Sequence, residues 1–213
     1  MTYVVWDWNG TLLDDTDAAV SALNEMLARR GLDPITTGFY RDHFSFPVRP
    51  FYSAIGVDLD REDWDAIAEE YHAAYARQTV RLADGAREAL SKIEGARVGQ
   101  SLVSALRQDK LLRDVARFGL AGHFEFVCGT DNLDGASKLD RARDLAARIR
   151  ERYGEGVDMV LVGDALHDKE VADETGMRCV LFSGGSHAAW RLRAVAPVAD
   201  TLDRAVEIAL EES

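Results

Sequence analysis

No stretch of the 213-residue chain approaches the roughly 20 continuous apolar residues that a membrane-spanning helix needs. The first apolar run also lacks the pattern of a secretory signal peptide, because Asp7 and Asn9 interrupt it. A basic surface is missing too: the net charge is −12 at pH 7, whereas nonspecific binding to nucleic acid or to an anionic membrane requires positive charge. We therefore expect a cytoplasmic protein with neither nucleic acid nor membrane as a partner. The sequence does not indicate an oligomeric state.

Cysteine is scarce as well. Cys128 and Cys179 each stand at the end of an apolar run, and no Cys-x-x-Cys pair or Cys/His cluster accompanies them. Buried, reduced thiols are the favoured interpretation over a disulfide or a redox pair. Because zinc sites in proteins are built from Cys and His clusters, we expect no zinc site.

What the chain does contain is 47% apolar and 29% charged residues, the proportions of a folded globular protein. Short apolar runs predict strands buried on both faces, over residues 3–8, 98–103, 124–128, 159–162 and 179–182. Helical patterns over residues 108–118, 138–152 and 168–175 separate the last four runs. This alternation predicts an α/β fold, a Rossmann-like parallel sheet with helices on both faces. Such sheets bind ligands at the carboxyl ends of their strands.

Residues 15–83, between the first two predicted strands, are too many for one crossover and predict an inserted all-helical domain. Its first helix is marked by Thr16 as the N-cap, an apolar stripe, and Gly31 at its end. A second helix is predicted over residues 61–78, and residues 44–50 are expected to form a loop leading into a short helix. The prediction is thus a core of residues 1–14 and 84–213 with a helical insertion of residues 15–83.

Chemically functional side chains stand at the ends of the predicted elements. Asp7 comes directly after the first strand, and Ser104 closes the second. Lys138 begins a helix, where an ammonium opposes the helix dipole and is better explained by an anionic neighbour such as a phosphate or Asp7. Asp164 and Asp168, four residues apart after a buried strand, can bind one hard cation.

Each of these pieces alone also has an ordinary structural explanation. Turns favour Asp, loops commonly begin with Ser, and a lysine can simply be solvated. Asp168 could be the N-cap of the following helix. The functional interpretation therefore depends on the combination of all four segments.

Together and in this order, the segments resemble the haloacid dehalogenase superfamily of phosphohydrolases, over nearly the whole chain. More narrowly, they are similar to the subgroup of phosphoglycolate phosphatase and β-phosphoglucomutase. That subgroup carries a helical cap between its first and second motifs, where this chain has residues 15–83. The resemblance implies a Mg²⁺-dependent hydrolase that acts on a small phosphorylated substrate.

The resemblance also implies which residues handle phosphate. Asp7 would attack phosphorus to form an aspartyl-phosphate, while Ser104, Ala105 and Lys138 would hold the transferring phosphoryl group. Elementary electrostatics agrees, because a phosphate dianion repels an attacking carboxylate until a cation neutralises both. Lys138 adds positive charge where the phosphoryl oxygens develop negative charge.

For the metal, the resemblance implies Asp7, Asp164 and the main-chain carbonyl of Asn9 as ligands of Mg²⁺, with Asp168 supporting a water on the ion. Arg49, in the cap, resembles the arginine that reads the substrate in this subgroup. It could clamp a carboxylate or a second anion, or it could be a solvated surface arginine.

One position departs from the family pattern. Phosphatases of this family usually have Asp two residues after the nucleophile, where it protonates the leaving oxygen and then deprotonates the attacking water. Here that position is Asn9. An amide cannot exchange a proton near neutral pH, and general acid–base help is worth about 10²- to 10⁴-fold. We therefore expect slower turnover on poor leaving groups.

Three alternatives stay open at this point. The chain is a phosphatase aided by water or another group, a related carbon-bond hydrolase, or a weakly active or non-catalytic protein that binds a phosphorylated ligand. A phosphonatase is disfavoured because it needs a cap lysine and residues 15–83 contain none. A dehalogenase needs no metal, so the intact motif of residues 163–168 disfavours it.

Overall fold

The computed structural model describes residues 1–131 and 138–211. Its strands are β1 (Thr2–Trp6), β2 (Leu13–Asp14), β3 (Arg81–Leu82), β4 (Gly99–Arg107), β5 (Val127–Thr130), β6 (Asp158–Gly163), β7 (Arg178–Phe182) and β8 (Val198–Ala199). Its α-helices are α1 (Thr16–Arg29), α2 (Thr37–His43), α3 (Arg49–Ala54), α4 (Trp64–Tyr75), α5 (Ala86–Gly95), α6 (Gln108–Arg117), α7 (Lys138–Tyr153), α8 (Leu166–Thr175), α9 (Ala189–Arg193) and α10 (Leu202–Leu210).

A parallel sheet forms the core, with strands in the order β5-β4-β1-β6-β7-β8. The central strand β1 is buried on both faces, and its residues alternate between them. Val4 and Trp6 pack towards α5, α6 and α10, while Tyr3 and Val5 pack towards α7 and α8. This is the period of two that a doubly covered strand requires. The predicted α/β fold with helices on both faces is confirmed.

Several predicted bounds were wrong by a few residues. Trp8 lies outside β1, because its carbonyl accepts the main-chain N–H groups of Thr11 and Leu13 in a tight loop. The third run forms a strand only from Val127, since Phe124 closes a short 3₁₀ turn. The short strand β8 and the helices α2, α5, α9 and α10 were not predicted.

The insertion contains α1 to α4, which share a hydrophobic cluster of their own. Its first helix has Asp15, not Thr16, at the N-cap position, and Thr16 is the first, buried helical residue. The second predicted helix is shorter than expected, because the Asp63 carboxylate caps its start by accepting the Ala66 N–H at 2.9 Å.

The insertion is helical except near its ends, where β2 and β3 pair antiparallel and tie the two connecting segments together. The exact limits of the insertion, residues 15–83, stay a prediction. No helix in the described part of the chain is long and apolar enough to cross a membrane. Cys128 and Cys179 are free thiols; Cys179 is buried as predicted, whereas Cys128 is only half-buried.

Candidate active site

Four segments meet at the carboxyl edge of the sheet. Asp7 directly follows β1, and its N–H still donates to the carbonyl of Val162 in β6 at 2.8 Å. Asp164 directly follows β6, and Ser104 lies in the second half of β4. The strands are parallel neighbours, so these side chains come out at one edge of the sheet.

Three buried carboxylates and one buried ammonium form the centre of this edge. Asp7, Asp164 and Asp168 each offer a carboxylate oxygen within 4.8 Å of the other two. The Lys138 ammonium donates to the carboxylates of Asp7 and of Asp168, the latter at 2.6 Å. All four side chains are almost fully buried. Lys138 therefore has the anionic neighbour that its place at a helix start predicted. The preceding residues 135–137 of its motif lie outside the described part of the chain.

Burial and charge together set the protonation of this cluster. Burial, followed by repulsion from Asp168, raises the pKa of Asp164 to about 7. Burial also raises the pKa of Asp7, and Lys138 opposes this effect without cancelling it. At Asp168 burial acts upward as well, but the attraction of Lys138 outweighs it and the pKa is lowered. Lys138 has its own pKa raised, because the two carboxylates overcome the effect of burial.

Hydrogen bonds fix the two carboxylates that follow β6. Asp168 is the third residue of α8 rather than its N-cap, and its carboxylate accepts the N–H groups of Asp164 and Ala165 at 3.1 and 2.9 Å. Asp164 accepts both the N–H and the hydroxyl of Ser186, at 2.6 and 2.5 Å. Thr11 donates to Asp164 at 3.3 Å. Ser186 and Thr11 were not singled out from the sequence.

Two glycines let the backbone approach the Asp164 carboxylate. A Cβ on Gly10, whose φ is 76°, would lie 2.2 Å from an Asp164 carboxylate oxygen. A Cβ on Gly185 would lie 2.3 Å from the same oxygen. Any larger residue at either position would have to displace the carboxylate.

Of the other predicted substrate-binding residues, two line the cavity that contains Asp7 and one does not. Ser104 and Ala105 line the same cavity as Asp7, and the Ser104 hydroxyl accepts the Leu106 N–H at 3.0 Å. Arg49 is exposed at the start of α3, and its guanidinium lies 4.9 Å from the ring centre of Trp64. It is not among the described residues that line the cavity. Its role in substrate binding stays a prediction.

Asn9 is held by a cluster that the sequence did not indicate. Its amide donates to the Asp15 carboxylate at 2.7 Å and lies 3.3 Å from the Tyr75 hydroxyl. The Tyr75 hydroxyl donates to the same Asp15 carboxylate at 2.5 Å, and the Gly10 N–H does so at 2.8 Å. Burial raises the pKa of Asp15, although these three donors act to lower it. Tyr75, a residue of α4, is therefore hydrogen-bonded both to Asp15 and to the loop that follows Asp7.

A second set of contacts joins the cap to the segment after β7. The Arg41 guanidinium donates to the carbonyls of Gly185 and Gly184 at 2.9 and 3.1 Å. The rings of Phe46 and His167 lie 5.2 Å apart, and His167 also contacts Glu170 at 3.1 Å. Cap and core together enclose a cavity of about 460 Å³, with the carboxylates and Lys138 in its wall.

Comparison with known proteins agrees with this geometry. The family model for haloacid dehalogenase-like hydrolases matches residues 4–182, and the chain belongs to this family. It is 31% identical over 197 residues to a phosphoglycolate phosphatase of Caulobacter vibrioides, covering 85% of this chain and 79% of the relative. It is 26% identical over 202 residues to a 5'-nucleotidase of Pseudomonas aeruginosa, covering 91% of this chain and 88% of that protein.

The fold is also similar to that of solved structures. A conserved haloacid dehalogenase-like protein of Agrobacterium tumefaciens superposes with a TM-score of 0.78 and 21% identity, covering 99% of both chains. The family resemblance inferred from the sequence is thus confirmed, and the chain is a phosphoric monoester hydrolase.

Proposed function

We propose that the protein is a Mg²⁺-dependent phosphatase that acts on a small phosphorylated metabolite through an aspartyl-phosphate on Asp7. One observation carries this proposal. The Asp7 carboxylate contacts the Lys138 ammonium inside a cavity that also holds Asp164 and Asp168. A carboxylate nucleophile, a cation for the phosphoryl oxygens and a cation-binding pair are thus combined in one place.

The residues of this site suit two successive displacements at phosphorus. Lys138 and the Ser104 hydroxyl would hold the phosphoryl oxygens while an oxygen of Asp7 attacks. The bond from phosphorus to the leaving oxygen breaks, and that oxygen takes a proton from water. A second water then attacks the aspartyl-phosphate, which releases inorganic phosphate and restores the Asp7 carboxylate. Splitting the reaction in this way replaces one difficult step by two easier ones.

The donor set fits a magnesium ion. With Lys138 charged, three ionised carboxylates leave the buried cluster with two net negative charges, which one divalent cation balances. Asp7, Asp164 and Asp168 supply the oxygen ligands that Mg²⁺ prefers. The main-chain carbonyl of Asn9, the fourth predicted ligand, accepts no hydrogen bond from the described residues. When bound, the ion would neutralise charge between nucleophile and phosphate.

Asn9 favours a second candidate, a weakly active or non-catalytic protein that binds a phosphorylated ligand. Its amide is committed to Asp15 and cannot transfer protons to the leaving group. The dehalogenase alternative gains no support from the cluster, since a buried carboxylate triad suits a metal. The phosphonatase alternative stays disfavoured because residues 15–83 contain no lysine. The cytoplasmic location expected from the sequence stays a prediction.

Hydrolysis of p-nitrophenyl phosphate with Mg²⁺, and again with excess chelator, tests the proposal. We expect turnover only with Mg²⁺, and its loss in Asp7→Asn with the fold retained. Asp200→Asn is the matched control, because Asp200 is an exposed carboxylate of the core outside the cavity. Unchanged turnover in Asp7→Asn would remove Asp7 from the mechanism. Mg²⁺-dependent phosphate binding without turnover of any ester would favour the non-catalytic candidate.

A further inference from the structure

The cavity above the carboxylates is larger than a two-carbon phosphate ester requires. Its volume of about 460 Å³ lies within the range of sites that enclose drug-sized ligands, about 300 to 1,000 Å³. Asp7, Ser104 and Lys138 line its core side, so the phosphoryl group takes up only that part. The remaining space lies against the cap and must receive the leaving group.

Aromatic side chains dominate the cap side of this cavity. Apart from Tyr75, which is bonded to Asp15, the cap contributes six such rings: Tyr40, Phe44, Phe46, Tyr52, Trp64 and Tyr71. Several of them already pack ring against ring, with Tyr40 stacked on Phe44 at 4.5 Å and Trp64 edge-on to Tyr52 at 5.4 Å. Tyr40, Phe44 and Tyr52 are almost fully buried against their neighbours, whereas Phe46, Trp64 and Tyr71 keep partly accessible rings. These three rings offer faces and edges to a further aromatic ring.

Positive charge is missing from the same wall. Among the described residues of the cap that line the cavity, none is Lys or Arg. The Lys and Arg residues that line the cavity are Lys138 and, on α6, Lys110, Arg113 and Arg117. Arg113 donates to Asp109 at 3.0 Å, and Arg117 lies 4.6 Å from the ring centre of Phe118, so both already have partners. The third cation, Lys110, also belongs to α6, a helix of the core. With no Lys or Arg of the cap on the cavity wall, the cap side provides no clamp for a carboxylate-bearing leaving group.

Resting on the phosphatase function proposed above, we propose that the substrate is a phosphomonoester whose leaving group carries a neutral, planar aromatic ring system. The phosphoryl group would lie between Asp7 and Lys138, and the ring would pack among the aromatic side chains of the cap. Benzyl-type esters and nucleoside monophosphates share this chemistry, and the two are separated by the test.

The decisive comparison is between benzyl phosphate and cyclohexylmethyl phosphate. Both are esters of primary alcohols of the same ring size, so their reach is matched. Benzyl alcohol is the slightly more acidic leaving group, and this intrinsic difference is the same for the parent and for every variant. Because the saturated ring is the more apolar of the two, burial alone favours it. Stacking favours benzyl phosphate, and we expect its kcat/KM to be higher by roughly 2- to 12-fold. Nucleoside 5'-monophosphates and phosphoglycolate complete the panel, the former as the larger aromatic source.

A pair of variants at Tyr71 assigns the preference to the cap. Tyr71→Leu removes a ring from the wall, whereas Tyr71→Phe keeps it and loses only the hydroxyl, which has no hydrogen-bond partner among the described residues. The ratio of the two kcat/KM values should fall towards one in Tyr71→Leu and stay near the parent value in Tyr71→Phe. Because it is a ratio, it does not depend on the folded fraction. Phe39→Leu, at an exposed cap ring outside the cavity, should leave it unchanged.

Each outcome has one meaning. A preference for benzyl phosphate that Tyr71→Leu reduces supports the inference, and the rate on nucleoside monophosphates then says which aromatic source fits better. Equal or better hydrolysis of cyclohexylmethyl phosphate, or a higher kcat/KM for phosphoglycolate than for every aromatic ester, overturns the inference while the phosphatase function stands. Hydrolysis of no ester at all overturns both.

Discussion

Replacing Asn9 with Asp supplies the acid that the family resemblance predicts at this position but places it against another carboxylate. The Asn9 amide nitrogen lies 2.7 Å from an Asp15 carboxylate oxygen and donates to it. An aspartate there loses the donor and brings a half-buried acid against the buried Asp15. Asn9→Asp alone should therefore be destabilising, although it supplies the group that phosphatase chemistry lacks here.

The size of the destabilisation by Asn9→Asp follows from the distance between position 9 and the Asp15 carboxylate. Two unit charges 2.7 Å apart repel by about 6 kcal/mol at an effective dielectric constant of about 20. The two carboxyl groups at positions 9 and 15 avoid part of this repulsion when one of them stays protonated. Raising one carboxyl pKa from about 4 to above 7 costs about 4 kcal/mol at pH 7, at about 1.4 kcal/mol per pKa unit. Burial already raises the pKa of Asp15, so about 4 kcal/mol is an upper bound.

The exchange Asn9→Asp/Asp15→Asn removes the repulsion while keeping the new acid. An amide at position 15 can still accept the Gly10 N–H and can donate to the aspartate at position 9. We expect this double variant to recover most of the stability that Asn9→Asp loses. It should also raise turnover on alkyl phosphates more than on aryl phosphates, whose better leaving groups need less protonation.

Urea unfolding at pH 7 and near pH 4.5, combined with kinetics on both ester classes, checks these expectations. In Asn9→Asp, the carboxyl group that keeps the proton has a pKa in the folded state above its value in the unfolded state. The stability deficit should therefore be nearly absent below about pH 4 and grow as the pH rises towards 7. The reasoning is refuted if Asn9→Asp is as stable as the parent at pH 7, or if the exchange is no more stable than the single variant. An equal gain on alkyl and aryl phosphates would contradict the interpretation of Asn9 as the missing acid.

Two further substitutions probe the buried cluster. Lys138→Met leaves the Asp168 and Asp7 carboxylates without their cation. We therefore expect the free energy of unfolding to fall by about 3 to 5 kcal/mol at pH 7 without metal, measured by urea unfolding. The loss should shrink in acid. The lowered pKa of Asp168 stabilises the parent fully only above the unfolded value near 4, and this stabilisation disappears as the pH falls through the folded-state pKa. A pH-independent difference would contradict this expectation. Gly10→Ala should abolish the stabilisation by Mg²⁺ in thermal unfolding, because its Cβ displaces Asp164. Gly85→Ala is the control, because Gly85 has a similar φ of 79° and no described atom lies within 4 Å of the new Cβ. This variant should suffer only the backbone strain of roughly 1–2 kcal/mol. Equal Mg²⁺ responses in the two variants would contradict the account.

The central site could be predicted because its residues stand at the ends of parallel strands. Asp7, Ser104 and Asp164 each belong to a strand, or directly follow one, that an apolar run reveals. Parallel strands bring their carboxyl ends to one edge, so these side chains converge without any knowledge of packing. Lys138 could be predicted for a different reason, since an ammonium at a helix start needs an anion.

The hydrogen-bond partners of the site could not be found in the same way. Tyr75 reaches Asp15 only because α4 packs beside α1, a tertiary contact between residues 60 positions apart. Arg49 lies over Trp64 on the cap, where a guanidinium and an indole attract one another, and its role in substrate binding stays a prediction. Ser186 did have a signal: it follows two glycines after the predicted strand of residues 179–182, at the same carboxyl edge as Asp164.

Chemical trapping of the intermediate tests the central claim most directly. The enzyme is mixed with Mg²⁺ and a phosphomonoester that it hydrolyses, quenched within a turnover, and treated with borohydride. Borohydride reduces an acyl phosphate to the alcohol, so peptide mass spectrometry should find homoserine at position 7. We expect this product at Asp7 alone, and none in Asp7→Asn. Turnover without any reduced carboxylate, or reduction at Asp164 or Asp168 instead, would contradict the assignment of Asp7 as the nucleophile.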